Sequence, residues 1–198
     1  MTLTPTSSLQ DVALAVGAQL TRRGIRAVLT GGACVAIYTG TYVSNDADFI
    51  LQDNVRQRAL DEALRELGFE RHGDRYDHPE TPFFVEFPPG PLSIGEDLAI
   101  RPVELHVAED GSAVLALSPT DSCRDRLAAF YHWDDRQALR LAVEIARKHE
   151  VDFHIIKVWS VGEGMSDKYD EFQREAQTGP PPRRQRRIRR RPSRDRGT

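Results

Sequence analysis

Two short stretches constrain this chain more than anything else in it. They are Leu29-Thr30-Gly31-Gly32-Ala33 and, after thirteen residues that follow the second glycine, Asp46-Ala47-Asp48-Phe49. The apolar run 25–29 reads as a short buried strand. Gly31 and Gly32 break it, residues 33–38 read as a short helix, and 39–45 as a loop. Residues 46–51 read as a second strand. Successive strand side chains point to opposite faces, so Asp46 and Asp48 share one, while Ala47, Phe49 and Leu51 take the other and pack on the core. Two carboxylates on one face repel unless a cation lies between them. Mg²⁺ prefers such sites, held by one or two carboxylates, waters and substrate phosphates. The glycines let backbone approach a ligand closely and open a helix N-terminus, an anion site.

A centre with two metal ions about 3.5–4 Å apart needs a further acid to hold them. Glu86 is the best choice. In the strand 83–87, Phe83, Val85 and Phe87 point one way and Glu86 and Phe84 the other, and an ionisable group in so apolar a run needs a reason. Glu104, in Val103-Glu104-Leu105, is the second choice. His72, Asp74, Asp77 and His78 could suggest a second metal site, but their irregular spacing around a turn argues against it.

The remaining elements follow from local signals. Ser8 with Asp11 resembles a capping box, and Leu9, Val12, Val16 and Leu20 recur at helical spacing up to Gly24. Residues 56–67 read as a helix, 69–76 as a hairpin or a strand and turn, and 88–100 as a loop opened by Pro88-Pro89. Residues 103–107 and 113–117 flank Glu109-Asp110-Gly111, a hairpin signal. Ser118-Pro119-Thr120-Asp121 then caps a helix to about Tyr131. Asp134, Asp152 and Ser166 cap three more, ending near 148, 159 and 176. Tyr131, Trp133 and Trp159 read as their core. The expected organisation is an α+β part with a mixed sheet and flanking helices (1–117), a small all-helical lobe (118–177), and a disordered Pro/Arg-rich tail (178–198).

Charge separates the tail from the rest. Between 183 and 196, nine arginines against one aspartate give +8, so the net −3 leaves −11 for the other residues. Such a tail binds phosphates with strong salt dependence, which fits an RNA partner and equally any polyanion. The two cysteines, Cys34 and Cys123, form no disulfide framework and read as small buried apolar groups. No apolar run approaches the roughly 20 residues that span a bilayer, and no signal peptide is visible. A reduced, cytoplasmic setting without membrane partners is expected.

The order strand, Gly-Gly, helix, Asp-x-Asp strand, later acidic strand resembles the nucleotidyltransferase superfamily, the DNA polymerase beta-like fold. Phe84-Val85-Glu86-Phe87-Pro88-Pro89-Gly90-Pro91-Leu92, Ser118-Pro119-Thr120-Asp121, Asp125-Arg126-Leu127-Ala128-Ala129, Asp134-Asp135-Arg136-Gln137 and Glu163-Gly164-Met165 are similar to small bacterial members. These are related to AbiEii-type abortive-infection toxins and minimal nucleotidyltransferases. The resemblance covers roughly residues 8–176. It implies Mg²⁺ or Mn²⁺ on Asp46, Asp48 and Glu86, and a nucleoside triphosphate at Gly31, Gly32, Ser44 and Arg126. It also implies transfer of a nucleoside monophosphate to an RNA or protein acceptor, with an antitoxin protein as a possible partner. Two departures define the alternative, a nucleotide- or partner-binding module of the same fold without chemistry. Ala33 stands where the superfamily often has serine, and Tyr42-Val43-Ser44 fills a region where related toxins often carry arginine.

Overall fold

Ser8 Oγ accepts the Asp11 N–H at 3.2 Å and the Asp11 carboxylate accepts the Ser8 N–H at 2.8 Å, so a complete capping box starts helix α1 (Leu9–Arg22). The computed structural model describes residues 2–40, 44–108 and 110–178. Strand β1 (Ala27–Thr30) begins two residues later than the apolar run suggests. The Ile25 N–H still bonds Leu20 O at 2.9 Å, so Ile25 belongs to the turn leaving α1. Helix α2 (Gly31–Thr39) starts at the glycines themselves rather than after them. Strand β2 (Asp46–Leu51) and helix α3 (Gln57–Arg65) follow. Helix α3 stops short of Leu67 because Phe69 N–H turns back to Leu64 O at 3.1 Å around Gly68, at φ +92°.

The ambiguous stretch after Gly68 is a hairpin, β3 (Glu70–His72) and β4 (Arg75–Asp77). Strand β5 (Phe84–Glu86) precedes the loop, and β6 (Val103–Val107) pairs antiparallel with β7 (Ala113–Ala116). The strands form one mixed sheet in the order β3-β4-β5-β2-β1-β7-β6, with β1–β7 and β2–β5 parallel. This is the mixed-sheet architecture with flanking helices that the sequence predicts.

Helices α4 (Pro119–Trp133), α5 (Arg136–Lys148), α6 (Phe153–Gly162) and α7 (Ser166–Gln177) complete the described chain. Helices α4 and α5 pack against α2. His149 Nε2 meets Tyr38 O at 2.7 Å, and the Tyr38 hydroxyl donates to Leu117 O at 2.7 Å. One continuous apolar core therefore joins the sheet to the later helices.

Three local expectations are corrected. The cap of α5 is Asp135, whose carboxylate accepts the Gln137 and Ala138 N–H groups at 2.8 and 3.0 Å; Asp134 ends α4 at φ +53°. Ser166 is the first residue of α7, after Met165. Trp133 is 78% exposed, whereas Tyr131 and Trp159 are buried and stacked with centroids 5.4 Å apart. Both cysteines are buried, as read. Glu109 of the hairpin signal, Tyr42-Val43 and the arginine tail lie outside the described residues.

Candidate active site

Strand register builds the site. Thr30 of β1 pairs with Asp48 of β2, and Asp48 pairs with Glu86 of β5, so three residues form a row across the sheet. Ala47 and Phe49 are fully buried beneath the helices, and Asp46 and Asp48 occupy the opposite, half-buried face. One carboxylate oxygen from each of Asp46, Asp48 and Glu86 lies within 4.8 Å of the other two. Glu104 is elsewhere: it sits on the sheet-edge strand β6, beside a separate hollow with Arg26. His72 Nδ1 meets Asp77 at 3.0 Å while His78 Nε2 meets Leu67 O at 3.0 Å, so these side chains do not converge.

Burial pushes the Asp48 carboxyl up to about 6, and the negative charges of Asp46, Glu86 and Asp125 push the same way. Arg126 acts against this and is the weakest of these influences. Three converging, half-buried carboxylates, one of them reluctant to ionise, fit a hard divalent cation. Such a cation competes with the Asp48 proton. Mn²⁺ affinity should therefore rise as pH increases through about 6 and level off above it, which titrations at several pH values will show. The Ser44 hydroxyl donates to Asp46 Oδ1, so Ser44 orients a member of the cluster.

Gly31 is required by this geometry. It stands at φ +59°, and a Cβ there would overlap the Asp48 carboxylate. Gly31→Ala should displace that carboxylate and weaken Mn²⁺ binding roughly 10–100-fold, the range seen when groups that orient a ligand are lost. Calorimetry checks the affinity and circular dichroism the fold. The α2 N-terminus has no side-chain cap from Thr30 and no acid in its first turn, a combination that suits an anion. Ala33, by contrast, is fully buried in the core and presents nothing to a ligand.

Two hollows flank the acids. One, of about 310 Å³, is lined by Gly31, Asp48, Leu92, Ser93 and Asp125 among others. The other, of about 580 Å³, is lined by Glu86, Arg71, Asp74, Tyr76 and Phe87 among others. Pro88 and Pro89 wall both. Asp125 of α4 escaped the sequence reading, which weighted its neighbour. Arg126 Nη2 bonds the Asp125 carboxylate at 2.6 Å, and both groups lie close enough to act on Asp48. The one available signal was an acid adjoining Arg126 in the helical half.

The architecture defined by this sheet is a nucleotidyltransferase-like fold. Among solved structures, the chain is similar to an antigenic nucleotidyltransferase-like protein from Paracoccidioides brasiliensis. That pair shares 19% identity over 71% of this chain and 76% of the other, with a TM-score of 0.53. It also overlaps the antibiotic-resistance factor ANT(2'')-Ia at 14% identity over 80% of this chain and 94% of the other, with a TM-score of 0.47. A second structure of ANT(2'')-Ia, in complex with adenylyl-2''-tobramycin, gives 16% identity over 81% and 94%, with a TM-score of 0.41. No protein-family model matches the chain, and no curated protein matches its sequence. No helix among the described residues is long and apolar enough to cross a membrane.

Proposed function

We propose that the chain is a divalent-metal-dependent nucleotidyltransferase that moves a nucleoside monophosphate from a nucleoside triphosphate to an acceptor hydroxyl. The observation that carries this reading is the convergence of Asp46, Asp48 and Glu86 beside an uncapped Gly-Gly helix start, between two hollows. The triphosphate belongs on the Gly31 side, with first-turn amides of α2 binding its phosphate oxygens. The acceptor belongs on the Glu86 side. Asp46, Asp48 and Glu86 would hold Mg²⁺ or Mn²⁺, which supplies charge neutralisation and Lewis-acid polarisation at the α-phosphate.

In the reaction the acceptor oxygen forms a bond to the α-phosphorus, the α–β bridging bond breaks, and pyrophosphate leaves. Glu86, which lines the acceptor-side hollow, would take the acceptor's proton. The two hollows share a Pro88-Pro89 wall and would hold the two reactants side by side at the acids, and orientation of this kind lowers the barrier. Helices α4–α7 act as a lobe closing one side, with Asp125 and Arg126 on its inner surface.

The acceptor class we propose is RNA or protein, with the basic segment 183–196 favouring RNA. The role of toxin in a toxin–antitoxin pair rests on the resemblance to AbiEii-type proteins. Incubation of the chain with α-labelled nucleotides, Mg²⁺, cellular RNA and protein tests the reading. Label should enter one fraction, and it should be absent with Asp46→Asn. No transfer to any acceptor, or transfer that survives this change, rejects it. The buried Ala33 favours a second reading, nucleotide binding without turnover. Calorimetric ATP binding with no pyrophosphate release across acceptors would select that one.

A further inference from the structure

Six large apolar side chains stand exposed among the described residues; two of them, Ile155 and Val158, line one groove, and Leu98 and Val161 each follow or precede a lining residue in sequence. The groove, of about 520 Å³, lies between α6 and the turn at 94–97, away from the acid cluster. Its walls are fixed. Ile94 and Asp97 exchange two backbone hydrogen bonds, of 3.0 and 3.1 Å. The buried Arg124 holds Asp97, and the Glu96 N–H donates to Glu163 at 3.3 Å. Gly95 lets the turn lie against Glu163, where a Cβ would overlap the carboxylate. A preformed groove loses little freedom on binding.

Its shape and charge select an occupant. Ile155, Val158 and Gly162 stand at helical positions i, i+3 and i+7, an apolar stripe about 10 Å long at 1.5 Å per residue. Such a stripe matches the apolar face of a second helix, with Gly162 allowing close approach. Leu98 and Val161, each next in sequence to a lining residue, are also exposed, so apolar surface is not confined to the concavity. Asp97 is balanced by Arg124 and Glu163 meets His132 Nε2 at 3.3 Å, whereas Glu96 has no Lys or Arg partner among the described residues; three carboxylates thus line the groove against the single guanidinium of Arg124. Lys157, the one lysine of α6, lies off the stripe. The groove is therefore apolar with an acidic rim.

We propose that this groove docks an amphipathic helix of a partner protein, apolar on one face and carrying Lys or Arg beside it. The same loop supplies Pro88, Pro89 and Ser93 to the cleft at Asp48, so a helix seated in the groove braces one wall of that cleft.

A phage-displayed library of helical scaffolds with one randomised face, selected on the full chain, tests this. Val158→Asp and Leu98→Asp, both at exposed positions, serve as comparison baits. The expected binders carry an apolar i, i+3 or i+4, i+7 stripe with flanking Lys or Arg, and lose at least tenfold affinity for Val158→Asp. Binders indifferent to both variants, binders with acidic flanks, or no wild-type-selective binders overturn the proposal. So does a wild-type dimer in sedimentation that Val158→Asp makes monomeric, because the occupant is then a second copy. Binders recovered only after deletion of residues 179–198 also overturn it, because the occupant is then the chain's own tail.

Discussion

Asp48→Asn should abolish nucleotidyl transfer and, in the same protein, raise the stability of the metal-free fold. The two effects have one cause. Asp48 sits half-buried against Asp46 and Glu86, and its carboxyl is pushed up to about 6 from an ordinary 3.8. Between those values the folded chain binds a proton that the unfolded chain has released, so stability falls as pH rises through the window and is lowest above about 6. An amide carries no charge at any of these pH values and escapes the penalty. The variant should therefore melt above wild type at pH 7.5, and the gap should close as pH falls towards 4. Transfer should drop at least about 10³-fold, because several kcal/mol of transition-state charge stabilisation are lost and each ~1.4 kcal/mol is tenfold. Thermal melts over a pH series, with label transfer at pH 7.5, check both halves. A variant that is inactive and also less stable at every pH would point to structural damage instead.

The second large effect concerns stability alone. Arg124 is 3% exposed. It bonds Asp121 Oδ1 at 2.9 Å, pairs with Asp97, and lies over the Trp159 ring with its guanidinium 5.2 Å from the centroid. Arg124→Ala leaves two carboxylates without their cation and opens a hole against Trp159. Breaking a buried pair by removing one partner costs about 3–5 kcal/mol. Asp97 is a third exposed and can rehydrate, so the lower end, about 3 kcal/mol, is expected. A melting temperature lower by roughly 6–12 °C follows for a chain of this size. Urea unfolding should show the same loss in its midpoint with an unchanged slope. An effect below about 1 kcal/mol would mean that the Arg124 cluster contributes little.

Period-two alternation made the shared face of Asp46 and Asp48 readable, because it depends on nothing beyond the strand. Glu86 was readable for a similar reason, as a lone acid in an apolar run. What no local pattern specified was the register. The parallel pairing of β2 with β5, which sets Asp48 directly opposite Glu86, joins strands 32 residues or more apart and is decided by packing. Asp125 was hidden for the same reason, since it reaches the cleft only when α4 docks beside α2. Elsewhere local chemistry was ambiguous. Asp134 and Asp135 are equally good caps by composition, and only the backbone places one outside α4 and the other at the start of α5. Trp133 follows a run of core residues at helical spacing, yet the last turn of α4 carries it into solvent.

Gly31 illustrates how far residue type alone reaches. That it breaks the strand and permits close backbone approach was legible from residue type, but its left-handed φ and its closeness to the Asp48 carboxylate belong to the folded sheet. The glycine and the aspartate are thus one unit, and the proposed anion and cation sites would share a wall.

Crystals of the chain grown with Mn²⁺ and a non-hydrolysable nucleoside triphosphate analogue, measured at the manganese absorption edge, would locate both ligands at once. The proposed site requires an anomalous peak within bonding distance of Asp46, Asp48 and Glu86, with the triphosphate against the amides of Gly31 and Gly32. Manganese bound elsewhere, or a triphosphate seated away from that turn, would contradict it.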